Sequence, residues 1–138
     1  MVVVFCTGRV SPVSKERLRL ATCTESMAAE FLQKNGYRII ARNYRCGFGE
    51  IDIIASERRT ICFVEVKARR SARFGLPEEA ITDLKKRHIT KTALAYLKDK
   101  KLNSQKLRFD VLSITYLDQR PQIRLIRDAF SLGGHYSY

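Results

Sequence analysis

The chain has 138 residues, which is enough for one domain with a single buried core and short for two. It carries 26 lysines and arginines against 14 aspartates and glutamates, a formal net charge of +12 at pH 7. This imbalance argues against an enzyme of neutral metabolites and favours a polyanionic partner, with nucleic acid ahead of an anionic membrane surface. The longest apolar run near the start, residues 2–6, is too short for a membrane span or a signal-peptide core. We therefore expect a cytoplasmic protein that does not enter a membrane.

The four cysteines are Cys6, Cys23, Cys46 and Cys62. They show no C-x-x-C spacing and are accompanied by only two histidines, so a structural zinc site has little support. In a reducing cytosol we expect free thiols. Cys62 alternates with valines along a predicted strand and is interpreted as a small buried apolar residue.

In chain order, residues 1–13 are predicted to be a flexible N-terminal segment. Apolar residues at helical spacing then predict a first helix over residues 14–35. Gly36 follows where a helix C-terminal glycine is expected.

Three β-branched and aromatic runs follow the first helix, and glycines or the polar turn "SERR" separate them. The second and third runs are predicted to pair as a hairpin. A long second helix is expected from Pro77 to Lys100, and two strands are predicted after it. The three first strands are predicted over residues 37–45, 50–55 and 60–68, and the last two over 108–116 and 123–126.

This order of helix, three strands, helix and two strands predicts an α/β sandwich. Its core is a mixed sheet of about five strands flanked by helices. We expect one domain over residues 14–132 and a flexible tail over residues 133–138.

The stretch "GEIDIIASERRTICFVEVKAR" places charged residues on two strands that otherwise have the pattern of buried strands. Strand side chains alternate, so Glu65 and Lys67 share one face of their strand. If the two strands pair as a hairpin, Asp52 and Glu65 converge. Carboxylates of this kind bind Mg²⁺ together with water and phosphate oxygens, and a nearby lysine can orient the attacking water or balance charge on the phosphate. The alternative is that both carboxylates are surface residues or pair with Arg45 and Arg69.

The same run resembles the PD-(D/E)xK nuclease core. Five segments in order are also similar to the YraN family of uncharacterised nuclease-like proteins, and they cover residues 25–130. The resemblance implies a restriction-endonuclease-like fold related to Holliday junction resolvases and tRNA-splicing endonucleases. It implies no particular reaction. The five segments are "RNYRCGFGEIDIIA", "FVEVKARRSARFG", "KKRHITKTALAYL", "RFDVLSI" and "IRDAF".

By this resemblance, Asp52 and Glu65 are the metal ligands, with Mg²⁺ or Mn²⁺ as the cofactor, and Lys67 is the catalytic lysine. A helix glutamate of the family corresponds to Glu25, which would complete the catalytic set. Two alternatives stay open for that position: Thr22-x-x-Glu25 also fits a helix-start capping box, and Glu30 is the other helix carboxylate.

The segment from residue 67 to 91 holds eight basic and three acidic residues, a net charge of +5. Beside a metal site, such a surface would hold a phosphate backbone without reading base edges. The alternative is an ordinary solvated helix face. Phe74 could offer a stacking platform, although core packing fits it better. The predicted nucleic-acid-binding residues are Lys85, which matches a family lysine, and Arg69, Arg70, Arg73, Lys86 and Arg87.

Other side chains are interpreted as structural. Asp110 in "RFDV" is expected to pair with Arg108 or a neighbour, and Tyr44 and Tyr96 are expected to pack. His88 is interpreted as a surface or phosphate-contacting residue, without a role as general base.

The sequence thus predicts a nucleic-acid-binding, metal-dependent endonuclease, for which structured or branched DNA is favoured over RNA as the substrate. Resolvase-like action would need two sites, so a homodimer is considered. The first alternative is a non-catalytic nucleic-acid-binding adaptor that keeps the nuclease fold. The second is a basic protein–protein interaction module.

Overall fold

The computed structural model describes residues 14–69, 81–118 and 120–132, with side chains from residue 22 onward. The described part forms one five-stranded sheet and two helices. The elements are α1 (Ser14–Lys34), β1 (Arg38–Cys46), β2 (Gly49–Glu57), β3 (Thr60–Arg69), α2 (Asp83–Asp99), β4 (Lys106–Leu117) and β5 (Arg120–Phe130).

The strands lie in the order β1-β2-β3-β4-β5 across the sheet. Neighbours are antiparallel except β3 and β4, which run parallel because α2 carries the chain back across the sheet between them. The predicted α/β class, the order of elements, the mixed sheet and the β2–β3 hairpin are confirmed.

Strand alternation sends side chains to two separate cores, one on each face of the sheet. On one face, Ala28, Ala29 and Leu32 of α1 pack on the sheet, and Cys62 is among the buried strand residues there. On the other face, α2 packs on aromatic and branched side chains that include Phe63. Cys62 is fully buried, as the sequence predicted.

Helix α1 ends where the sequence predicted. Gly36 follows it with a φ of 88°, a left-handed conformation that glycine adopts without steric cost. The Tyr37 N–H then donates to the Leu32 carbonyl and closes the helix end. Because α1 begins at Ser14, Thr22 and Glu25 lie well inside the helix, so the capping-box interpretation of these two residues is wrong.

Helix α2 begins later than predicted. Thr82 is the N-cap residue, with an extended backbone and a side-chain oxygen that accepts from the Lys85 N–H, so the helix starts at Asp83 and not at Pro77. A threonine can satisfy an N–H group at the helix start, and this cap decides the boundary. Strand β5 is also longer than predicted and carries Pro121 on the edge of the sheet, where no ladder hydrogen bond is lost.

Several predicted features lie outside the described residues. They are the flexible segments at residues 1–13 and 133–138, and Arg70, Arg73 and Phe74. In the part of the chain that is described, Cys23, Cys46 and Cys62 are free thiols. Neither described helix combines the length and the apolar character that a membrane crossing needs.

Candidate metal-binding active site

The site begins where β2 and β3 separate. Their backbone pairing runs from Glu57 and Thr60 as far as Ile53 and Val64. β2 is paired with β1 from Gly49 onward, so the part of β2 before Ile53 stays with β1 and separates from β3. The gap between the two strands is where the predicted carboxylates lie.

Asp52 lies at this fork. Its Oδ2 accepts a 2.8 Å hydrogen bond from the Val66 main-chain N–H, so a side chain replaces the missing backbone partner of β3. The charge of Glu65 acts on the Asp52 carboxyl group, so the two carboxyl groups lie close together. Glu65 is only 4% exposed. The convergence predicted for the two carboxylates is thus present in the structure.

Both carboxyl groups resist ionisation. Burial, followed by the negative charge of Glu65, raises the pKa of Asp52 well above its usual value. Burial also raises the pKa of Glu65, although the charges of Lys85 and Lys67 oppose the rise. Two buried carboxyl groups that share a site favour a state in which they hold a proton between them or bind a cation.

Two lysines approach this pair. Lys85 Nζ lies 3.5 Å from Glu65 Oε1, and the Thr82 cap places Lys85 in the first turn of α2, which faces β3. Lys67 follows Glu65 by two residues on β3 and is buried. Burial lowers the pKa of Lys67, against the opposing effect of Glu65. The predicted grouping of Asp52, Glu65 and Lys67 is therefore supplemented by Lys85 from a distant part of the chain.

Neighbouring charges complete the electrostatics of the site. Arg45 Nε lies 2.9 Å from Glu50 Oε2 on the adjoining strand. Arg45, which was considered as a partner for Asp52 and Glu65, thus forms an ion pair with a third carboxylate. The charge of Glu50 contributes to the raised pKa of Asp52. Lys85 forms an ion pair with Glu65.

The two helix glutamates differ in direction. Glu30 is exposed and pairs with Lys34 one turn away, so it faces solvent. Glu25 Oε2 accepts a 3.3 Å hydrogen bond from Asn43 Nδ2. Asn43 occupies the position of β1 that lies level with Asp52, and its φ of 51° is one that asparagine tolerates. Between the two, Glu25 is the glutamate near this end of the sheet.

The side chains available as metal ligands can be compared with the coordination that a divalent cation requires. Among the described residues, no three histidine, cysteine, aspartate or glutamate side chains are grouped closely enough to form a metal cluster. The pair of Asp52 and Glu65 still fits Mg²⁺ or Mn²⁺, because such ions use one or two carboxylates and complete their shell with water and phosphate oxygens. Glu25 is joined to Asn43 rather than to this pair.

The predicted phosphate-binding residues are only partly described. Arg87 and His88 are exposed on α2. Lys86 is part-buried, and its Nζ lies 3.8 Å from Asp83 Oδ1. Arg69 is part-buried at the end of β3. Lys85, in the same turn of α2 as Lys86, forms an ion pair with Glu65, and Arg69 follows Glu65 by four residues on β3.

A second polar cluster extends from Asp110, which is level with Val64, toward the turn between β2 and β3. Asp110 is fully buried and accepts hydrogen bonds from Tyr37 Oη at 2.8 Å and Arg108 Nε at 2.8 Å. Arg108 also reaches Glu57 at 2.7 Å, and Arg127 lies on the other side of that carboxylate at 3.1 Å. The predicted pair of Asp110 and Arg108 is confirmed. The other members were missed, because no local motif connects residues so far apart in sequence.

The packing predictions for aromatic residues also hold. Tyr44 and Tyr96 meet edge to face with ring centroids 5.0 Å apart. This contact joins β1 to α2 beside the site. Both rings are therefore structural, as expected.

Comparison with known proteins places this arrangement in a family. A family model described as "Uncharacterised protein family UPF0102" matches residues 24–114, a span that includes α1 from Thr24 and most of β4. The chain belongs to UPF0102. The resemblance to YraN-like proteins that the sequence motifs indicated is thereby confirmed.

UPF0102 relatives match over most of their length. A UPF0102 protein of Syntrophus aciditrophicus is 49% identical over 117 residues, which are 85% of this chain and 92% of the relative. One from Geobacter metallireducens is 47% identical over 108 residues, 78% of this chain and 88% of the relative. One from Caldicellulosiruptor saccharolyticus is 46% identical over 114 residues, 80% of this chain and 96% of the relative. The match spans the whole candidate site, and the names of these relatives state no reaction.

Proposed function

We propose that this UPF0102 chain is a nucleic-acid-binding, divalent-metal-dependent endonuclease that hydrolyses phosphodiesters. The observation that carries the proposal is the carboxylate pair of Asp52 and Glu65, which lies buried at a strand fork with Lys67 and Lys85 beside it. A core accepts such a costly pair only for a compensating reason, and cation binding is the simplest one.

The chain's own residues have distinct roles in this proposal. Asp52 and Glu65 would hold Mg²⁺ or Mn²⁺, an ion that supplies Lewis-acid chemistry at a phosphodiester. The Val66 N–H fixes one Asp52 oxygen, so the carboxylate is oriented before any cation arrives. Lys85 keeps Glu65 closer to its ionised form, since its positive charge lowers the pKa of that carboxyl group.

Lys67 would act on the substrate side. Its buried ammonium group is surrounded by little water, so its interaction with a phosphate or an attacking water is stronger than at the surface. Its lowered pKa also favours proton exchange nearer neutral pH than an ordinary lysine allows. Glu25, through Asn43, would support the site from α1.

Binding is assigned to the basic surface around α2. Lys85, Lys86 and Arg87 lie on one helix near the carboxylate pair, and Arg69 ends the strand that carries Glu65. Such a surface recognises phosphate groups and gives salt-sensitive binding with little base specificity. The sequence adds Arg70 and Arg73 to this group. We infer structured or branched DNA as the substrate, and hence a cytoplasmic protein.

A second candidate is a nucleic-acid-binding adaptor that keeps the fold without turnover. It is favoured by one observation: within the described chain, only two carboxylates converge, while Glu25 is bonded to Asn43. An adaptor would bind nucleic acid in a salt-dependent manner and would be indifferent to the carboxylates.

The test is cleavage of labelled duplex, single-stranded and four-way-junction DNA and of a structured RNA, each with Mg²⁺, Mn²⁺ or EDTA. Wild type is compared with Asp52→Ala and Glu65→Ala, and Glu30→Ala serves as a carboxylate control on the solvent side of α1. We expect metal-dependent cutting by wild type and Glu30→Ala, and none by the two site variants, which should still bind.

Each other result has a definite meaning. Cleavage that persists in both site variants contradicts the assignment of the active site. Binding without cleavage in any protein, unchanged by the substitutions, supports the adaptor. Binding that does not weaken with salt points to the protein-interaction module instead. Because action on a junction needs two sites, sedimentation of wild type with and without a junction would show whether the chain dimerises.

A further inference from the structure

The tip of the β1–β2 hairpin carries an unusually exposed aromatic residue. Phe48 stands between Gly47 and Gly49 and is 55% exposed. Its ring contributes to neither core cluster. Exposing so much apolar surface to water is unfavourable, so this side chain is a candidate contact for a ligand.

The hairpin packs closely against α2. Gly49 has a φ of 148°, and a Cβ at this position would lie 3.3 Å from Thr92 Oγ1 and 3.5 Å from His88 Cβ. Glycine thus lets the hairpin backbone approach the helix closely. The Phe48 N–H also donates to Cys46 Sγ at 3.5 Å across the turn. Phe48 therefore lies in a turn whose backbone packs against α2.

The hairpin lies at the active-site end of the sheet. Gly49 opens β2, and Asp52 follows three residues later on the same strand. On α2, His88 is one of the two residues that a Cβ at Gly49 would meet, and it lies one turn after Leu84, which is 60% exposed. Lys85, next to Leu84, forms the ion pair with Glu65. One exposed apolar side chain thus directly precedes the strand that carries Asp52, and the other adjoins Lys85 on α2.

We propose that Phe48 stacks on an unpaired base of the nucleic acid that this site binds, with Leu84 as a second apolar contact. The inference rests on the proposed function and deepens it, because it specifies a substrate that contains single-stranded or distorted nucleotides near the cleaved bond. A base face is sequence-independent, and aromatic stacking between phosphate-binding cations is a common way to hold a single strand.

The surroundings favour a base over a protein partner. Charged or polar groups of Arg45 and His88 adjoin the hairpin, and α2 adds Arg87 and Lys91 in its exposed face. Two separate apolar side chains among cations provide far less apolar area than a stable protein interface requires. They suit a flat base instead, because a base can stack on the exposed ring while the phosphate groups of its strand contact the basic residues.

The first experiment compares Phe48→Ala with Phe48→Tyr, which keeps the ring. Binding is measured on a blunt duplex and on the same duplex with a single-stranded extension, in EDTA. For Phe48→Ala we expect affinity for the extended substrate to fall about 5- to 150-fold, which corresponds to the loss of one stacked base. The blunt duplex should change less, and Phe48→Tyr should bind like wild type. The salt dependence should be unchanged, since no charge is removed.

The second experiment uses the absence of tryptophan from the chain. Phe48→Trp introduces a single indole, and stacking on a base should quench its fluorescence when a single-stranded oligonucleotide is added. Ile40→Trp is the matched control, because Ile40 is 39% exposed on β1 toward the opposite end of the sheet. That indole should be quenched little.

The outcomes separate this inference from the proposed function. Salt-dependent binding by wild type, with no effect of Phe48→Ala and equal quenching at positions 48 and 40, would overturn the stacking role and leave the nuclease proposal standing. No binding of any nucleic acid by wild type would overturn both. Loss of affinity for the blunt duplex as great as for the extended one would also contradict stacking on an unpaired base.

Discussion

The Val66 main-chain N–H lies 2.8 Å from Asp52 Oδ2, at the point where β2 and β3 stop pairing. A main-chain group of β3 thereby orients Asp52, the candidate metal ligand on β2. The fork and the carboxylate orientation are parts of the same arrangement, because a continuous ladder would use that N–H for a backbone carbonyl.

The first prediction concerns the stability of the metal-free protein. Asp52→Asn keeps an oxygen that can accept a hydrogen bond from the Val66 N–H. It removes the ionisable carboxyl group that lies beside Glu65. We expect the free energy of unfolding at pH 7 to rise by about 1 kcal/mol, the scale of relieving strain at a functional site. Urea denaturation in EDTA measures this. A loss of stability would mean that the pair is not a repulsive element of the fold.

The second prediction concerns pH. The folded-state pKa values of Asp52 and Glu65 are both raised, so these two groups bind protons more readily in the folded protein than in the unfolded chain. The contribution of this pair to stability is therefore largest below the usual carboxyl pKa and declines as the pH rises through the raised values. Denaturation from pH 4 to 8 should show a weaker decline in Asp52→Asn than in wild type. Added Mn²⁺ should stabilise wild type more at the upper end of this range.

The third prediction concerns Lys85. Removing its charge with Lys85→Met takes away an interaction that lowers the pKa of Glu65. Metal binding requires the ionised carboxylate, so the pH midpoint of Mn²⁺ binding, measured by titration calorimetry, should move upward. Lys91→Met, an exposed change on the same helix, is the control and should leave the midpoint in place. A midpoint that moves equally in both variants would argue against a local role.

The fourth prediction concerns the polar cluster at Asp110. Asp110→Ala leaves Arg108 and Tyr37 without their buried partner. It also removes the acceptor of the hydrogen bond that the Asp128 N–H donates. We expect a loss of about 3–5 kcal/mol in the free energy of unfolding. Glu30→Ala, which removes an exposed ion pair, should change it by less than about 0.5 kcal/mol. Comparable small changes in both would show that the cluster adds little to stability.

The fifth prediction concerns thiol reactivity. Burial raises the pKa of the Cys62 thiol to about 12, whereas Cys23 is exposed on α1. Iodoacetamide at pH 8 should therefore modify Cys23 and spare Cys62 in the native protein, because only the accessible thiolate reacts. Peptide mapping by mass spectrometry distinguishes the two. After denaturation both should react, and rapid native labelling of Cys62 would mean that β3 opens easily.

The sequence by itself determined the order of elements and the pair of carboxylates. Alternation with a period of two places Glu65 and Lys67 on one strand face, and hairpin pairing brings Asp52 to the same level. These relationships involve residues close in sequence, and strand geometry fixes them. The pairing of Arg108 with Asp110, two residues apart on β4, was accessible for the same reason.

The start of α2 needed the structure. The pattern of apolar residues showed that α2 exists, but several residues before it fit a helix equally well. The Thr82 side chain decided the start by bonding to the Lys85 N–H. The predicted start of α1 at Ser14 is confirmed, and it places Glu25 inside the helix, which rules out the capping interpretation.

Only the tertiary structure decided which distant groups meet. Tyr37 and Asp110 are 73 residues apart in sequence, and Lys85 reaches Glu65 from another element. The exposure of Phe48 at the active-site end was also invisible in the sequence, where it is one aromatic residue between glycines. The periodicity of the sequence specifies which face a residue occupies. The partner across that face is set by how the whole chain packs to bury its apolar surface, and no local pattern encodes that choice.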